Sequence, residues 1–231
     1  FDSYKGRQAI LHLVDQAEYM AAVVGDPSLS MPFCGAFFMC NSANETDAGA
    51  VRKPDIAKAK ALLKEAGYKG EKLILLQPTD RPQYAAAIMV LAESLRRAGA
   101  AVELQSADWS TISVRRARKD PPDKGGWHLF VTTQGGPDPS MPHTNGWFLS
   151  KCDRASAGWA CDPKLDAMVE QWARTEDAAQ RRAMIDSIQT RAYESLPYIP
   201  FGQFFQPIAF RKNVTGVIEA TVPVYWNLDK K

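Results

Sequence analysis

Few residues in this chain could do chemistry, and most of them are spaced for none. The three histidines, His12, His128 and His143, lie at metal-ligand spacing neither from one another nor from a cysteine, so no metal site is expected. There is no GxSxG elbow, no P-loop, no HExxH, and no GxGxxG ahead of a helix. Asp80, Asp108 and Asp138 could be paired on paper as acid and base, but the first two stand where helices begin and read as caps. Cys34 and Cys40 are six residues apart, and Cys152 and Cys161 nine. Such spacings suit local disulfide loops rather than zinc pairs. Two local bridges are favoured among the three possible pairings, with four reduced thiols as the alternative. Bridged cysteines would place the chain in an oxidising compartment.

One stretch says more. Trp127–Thr133 runs aromatic and β-branched residues together as a strand does, and Gly135-Gly136-Pro137-Asp138-Pro139 then ends it. A buried strand opening into a polar, glycine-bearing loop is where α/β proteins build binding sites. Thr132, Thr133, Gln134, Gly135, Gly136 and Asp138 are therefore candidate ligand contacts. The glycine pair by itself argues weakly for phosphate, because turns need glycine as often. Of six tryptophans, three fall in or beside this region. Trp109 follows a strand end, where an indole can stack on a ligand, and Trp147 follows the loop; Trp127 reads as core.

The surrounding elements must bring these residues together. Residues 5–20 carry one apolar helical stripe, and 25–53 read as a long loop. Asp55 caps a helix that stops at Gly67. Strand 73–77, helix 82–98, strand 101–105, a short helix from Ser110 and strand 127–133 follow in alternation. That order implies parallel strands with right-handed crossovers and all carboxyl ends on one edge. This edge would carry Pro78-Thr79-Asp80, Asp108-Trp109 and Thr132–Gly136, with N–H groups free at two helix starts. Helices starting at Asp162-Pro163 and Asp177 come next. The last 35 or so residues are short strand-like pieces, too apolar to face solvent alone.

Composition is that of a folded domain: 45% hydrophobic, 23% charged, net charge +2. Whole-chain disorder is excluded, and no electrostatic case for nucleic acid exists. The basic run Arg115–Lys119 reads as a solvated helix face. No apolar run reaches the ~20 residues that cross a bilayer. The chain opens at Phe1 and reads as part of a longer protein, so missing targeting signals carry no information.

Taken together, GRQAILHLVDQAEYM, DIAKAKALLKEAGYKG, LILLQ, AVELQSADWSTI, WHLFVTTQGGPDP, CDPKLDAMVEQWARTED and PYIPFGQFFQPIAFRKNVTG resemble the second half of family 5 extracellular solute-binding proteins. These are receptors of ABC importers for peptides, glutathione, nickel complexes and related solutes. The resemblance implies an α/β lobe of periplasmic-binding-protein type II, a mostly parallel sheet flanked by helices with long loops. It implies residues 1–196 as the ligand-binding lobe, and 197–231 as a tail returning to the other lobe or packing on a neighbouring molecule. It implies a small polar or peptide-like ligand, a membrane permease as partner, a periplasmic or cell-surface lipoprotein location, and no cofactor. Trp109 aligns with a family tryptophan that contacts ligand. The 134–138 loop aligns with a Trp-x-x-Asp segment that binds peptide amines, here with Gln134 at the tryptophan position and the aspartate displaced to Asp138 or absent. The Cys152–Cys161 segment resembles a family loop that often holds a disulfide. Two other readings compete: an α/β hydrolase or transferase using His128 at the strand-end edge, and an interaction module with no small ligand.

Overall fold

The computed structural model describes residues 3–231. Helices α1 (Tyr4–Leu11) and α2 (Gln16–Val23) come first, where one continuous stripe was expected. Asp15 causes the break: its carboxylate accepts the Ala17 and Glu18 N–H groups and starts a new helix. Helix α3 (Ile56–Glu65) is capped by Asp55 through the Lys58 N–H, and Gly67 leaves it at φ +84°.

Strands β1 (Leu73–Pro78) and β2 (Val102–Ala107) pair in parallel, with Leu73 opposite Val102 and Pro78 opposite Ala107. Helix α4 (Pro82–Arg97) makes the crossover, and α5 (Trp109–Arg115) follows β2. Leu75, Ile88, Leu91 and Leu95 are fully buried between this sheet and helices α1 to α4. A second core lies under α6 (Pro163–Arg174) and α7 (Ala178–Ser195), whose residues Trp172, Ile185 and Ile188 enclose Phe37, Phe38 and Phe148. Asp162 and Asp177 cap α6 and α7 as expected. A short antiparallel pair, β3 (Val214–Thr215) with β4 (Asp229–Lys230), closes the chain.

The expected third strand at 127–133 is a correction. It touches β1 at one parallel bridge, Leu75 with Leu129, and forms no ladder. Two residues explain this. His128 Nδ1 accepts the Ile74 N–H at 2.9 Å, so an imidazole sits where a strand carbonyl would. Leu76 then donates to the Leu129 carbonyl, and the next β1 residue on that edge is Pro78, which has no N–H to give. The segment leaves the sheet there.

Residues 198–205 of the tail pack on the body. Phe201 stacks on Tyr19 at 4.4 Å, Phe204 bridges Ser30, and the Phe205 N–H reaches the Leu29 carbonyl. Beyond them the tail is open to solvent, with Ile208, Tyr225 and Trp226 exposed, Trp226 at 85%.

Candidate functional site

The strand-end edge is assembled by its aspartates. Asp108 caps α5, accepting the Thr111 N–H at 3.0 Å and its hydroxyl at 2.8 Å. These two bonds hold its carboxyl below the usual carboxylate range. Asp80 does not cap the helix beside it. Its Oδ1 takes the Trp109 N–H at 2.7 Å, tying the β1 loop to the start of α5. The free N–H groups expected at α5 are thus partly consumed inside the protein. Helix α4 begins with Arg81 and Pro82 and has no side-chain cap.

The loop after Val131 is held from beneath by Asn145, which is fully buried. Asn145 Oδ1 accepts Gln134 Nε2 at 2.9 Å and the Phe148 N–H at 3.2 Å; its Nδ2 donates to the Phe37 carbonyl and the Tyr198 hydroxyl. Burial pushes the Tyr198 phenol well above its ordinary value, so it stays protonated. The Thr133 and Tyr84 hydroxyls bond at 2.9 Å, and Met39 donates its N–H to the Pro139 carbonyl. The polar loop is therefore held at three points, Thr133, Gln134 and Pro139.

A cleft of roughly 1820 Å³ opens above it. Thr132, Thr133, Gln134, Gly135, Gly136 and Trp147 line it together with Tyr84, Trp127 and Trp159 and with tail residues 198–209. Gly135 is open: a Cβ there would meet nothing within 4 Å. Gly136 is closer packed, with the Met39 sulfur 3.4 Å from a would-be Cβ. Trp109 and Asp138 are not on the cleft wall. Trp109 packs edge-on to Tyr84 at 4.8 Å, and Asp138 is exposed with its carbonyl taken by the Thr144 hydroxyl.

Both local disulfides are present, Cys34–Cys40 and Cys152–Cys161. The second closes a loop that carries Trp159 against Trp127, with ring centres 6.0 Å apart. Replacing Cys152 and Cys161 together by serine should lower stability by about 2–3 kcal/mol through the freed nine-residue loop. Denaturant melts of the double variant check this, and an unchanged midpoint would argue that the loop is held without the bridge.

The basic run at the end of α5 is not a uniformly solvated face. Arg115 reaches the Gly125 and Gly126 carbonyls and Gln105. Arg118 pairs with Asp120, Lys119 with Asp153, and Arg116 lies among aromatic rings. Asn145 and Tyr84 went unmarked in the sequence, and Arg116 was marked only as part of the basic run. Only Arg116 left a signal there, since it stands seven residues after Trp109 and shares its helix face.

Residues 1–157 match the family model for bacterial extracellular solute-binding proteins, family 5, middle region. The chain belongs to this family. A probable peptide ABC transporter periplasmic-binding protein of Sinorhizobium fredii is 35% identical to this family 5 chain, across all of the chain and 44% of the relative. Two solved structures share the fold. The agropinic acid complex of AgaA from A. tumefaciens R10 matches at TM-score 0.77 and 21% identity, over 100% of this chain and 48% of that one. A dipeptide-binding protein from Pseudoalteromonas, bound to Met-Leu, matches at 0.74 and 22%, over 100% and 46%. The family 5 chain thus spans less than half the length of these relatives. The periplasmic-binding-protein type II fold expected of it is present. Among the described residues no helix is long and apolar enough to cross a membrane.

Proposed function

We propose that this chain contributes the ligand-contacting lobe of an ABC-importer receptor, which holds a small polar, peptide-like solute in the cleft without chemistry. The carrying observation is convergence: six of the eight candidate contact residues line one cleft, on a loop braced by Asn145 and Tyr84. The names of the similar proteins, peptide and dipeptide receptors among them, support the solute class. Residues 1–196 would be the lobe, and the exposed apolar tail beyond 205 would lie against a second lobe, or against a second copy where that lobe is missing. A cleft of roughly 1820 Å³ favours this, since sites for one small molecule measure about 300–1000 Å³. Closure of two lobes on the solute would be read by a membrane permease. Two disulfides suit a periplasmic or cell-surface lipoprotein location.

The hydrolase reading has less behind it. His128 Nδ1 is occupied by the Ile74 N–H, which leaves the ring proton on Nε2 and makes His128 a poor base. The test is calorimetric titration of the intact receptor with di- and tripeptides. Binding should occur, and Trp147→Ala should weaken it about tenfold by removing an aromatic wall. No heat with any peptide would remove the peptide reading.

A further inference from the structure

Four aromatic rings stand in one row on the cleft wall. Trp127 meets Phe130 edge-on with ring centres 4.9 Å apart, Phe130 reaches Trp147 at 5.7 Å, and Trp159 lies 6.0 Å from Trp127. All four line the cleft, and all four are half-buried, so each keeps part of its surface open. They come from three separate segments of the chain. Trp159 joins the row at φ +47°, inside the loop closed by Cys152–Cys161. That backbone region is costly for a bulky residue, and such strain concentrates where a binding surface needs a group held in place.

The charged groups on the same wall are taken by the protein. Arg118 pairs with Asp120 and Lys119 with Asp153, Asp162 is gripped by Arg191, and Arg7 donates to the Ser195 carbonyl. Cations also stand beside the rings. The Lys119 ammonium lies 5.2 Å from the Trp159 centre, and the Arg116 guanidinium 5.7 and 5.4 Å from Phe130 and Trp147. A cationic solute group approaching the row would be repelled by these two charges. A carboxylate would meet negative ring faces, with Lys119 already paired and Arg116 off the cleft wall. A neutral ring meets neither penalty, and its positive edge is drawn to those faces.

We propose that these four rings form a subsite for an aromatic side chain, so that the receptor prefers peptide-like solutes carrying phenylalanine over aliphatic ones of like size. Burial of apolar area separates phenylalanine from leucine only weakly. Edge-to-face and offset contacts separate them further, because they need a ring on both sides. This rests on the peptide-site reading and narrows it.

The intact receptor is titrated with Ala-Phe and Ala-Leu, and with the reversed pair Phe-Ala and Leu-Ala. In at least one order the phenylalanine peptide should bind about fivefold more tightly. Trp159→Leu and Trp147→Leu keep apolar bulk but remove a ring, and each should bring that ratio toward one. Trp159→Phe keeps a ring and should retain the preference. A wall that acts only by burying apolar surface would lose affinity for both peptides together and leave the ratio intact in the leucine variants; that outcome overturns the proposal. Equal native affinities in both orders overturn it too, while leaving the peptide site standing. Failure to bind any of the four peptides defeats the peptide-site reading and this one with it. Should one leucine variant not fold, the ratio in the other decides.

Discussion

Gln189→Leu should lower the unfolding free energy by about 4 kcal/mol, and the melting temperature by roughly 10 °C. Gln189 is fully buried on α7, yet it serves a distant loop. Its Oε1 accepts the Phe37 N–H at 3.0 Å, and its Nε2 donates to the Gly35 and Thr46 carbonyls at 2.7 and 2.8 Å. Leucine has similar bulk but leaves three backbone groups without these partners, each costing about 1–3 kcal/mol when unsatisfied. The consequence reaches the cleft. The loop that Gln189 holds includes Met39, whose N–H supports Pro139 after the glycine pair. Thermal unfolding followed by circular dichroism is the check. A loss under about 1 kcal/mol would show that the loop is held by the Cys34–Cys40 bridge and its phenylalanines instead.

Arg191→Met should cost about 3–5 kcal/mol at neutral pH, for an electrostatic reason. Arg191 grips Asp162 through Nε at 2.8 Å and Nη2 at 3.0 Å, while the same carboxylate caps α6 at the Leu165 N–H. Burial pushes the Asp162 carboxyl upward, but the Arg191 and Leu165 bonds outweigh it and hold the group below the usual range. A depressed folded-state value contributes stability above the unfolded value of about 3.9 and loses it as pH falls through the folded one. The native protein should therefore lose this contribution below about pH 4. Without Arg191 the carboxyl keeps its burial and loses the strongest bond opposing it, so its value rises and the stabilisation above about pH 4 shrinks. Urea melts of both proteins at pH 4 and pH 7 test this, with the larger difference expected at pH 7. Equal differences would mean that the arginine acts by packing alone.

Much of the frame was legible in advance because its signals are local. Asp55, Asp162 and Asp177 cap helices just where a short acidic side chain precedes an apolar period. The crossover from β1 through α4 to β2 follows from alternating strand and helix periods, and two close cysteine pairs found each other across short loops. The failures share a cause. Asp15 interrupted a stripe that looked continuous, because a carboxylate accepting two N–H groups outweighs apolar spacing. The strand at 127–133 was misread because propensity describes a segment, whereas a ladder needs a partner edge. That edge offered His128 an N–H at Ile74 and had none left at Pro78.

The candidate site divides along the same line. By itself the sequence determined that Thr132–Gly136 is a polar loop leaving an apolar stretch, and that its chain belongs with family 5 receptors. Strand-end loops and glycine turns are written in neighbouring residues. Only the tertiary structure decided that Trp109 and Asp138 stand off the cleft, that Asn145 carries Gln134 from below, and that Arg116 joins Trp109, Phe130 and Trp147. Apart from the seven-residue step from Trp109 to Arg116, those relations link segments 11 to 31 residues apart. The longer ones depend on how two cores pack, which no local spacing records.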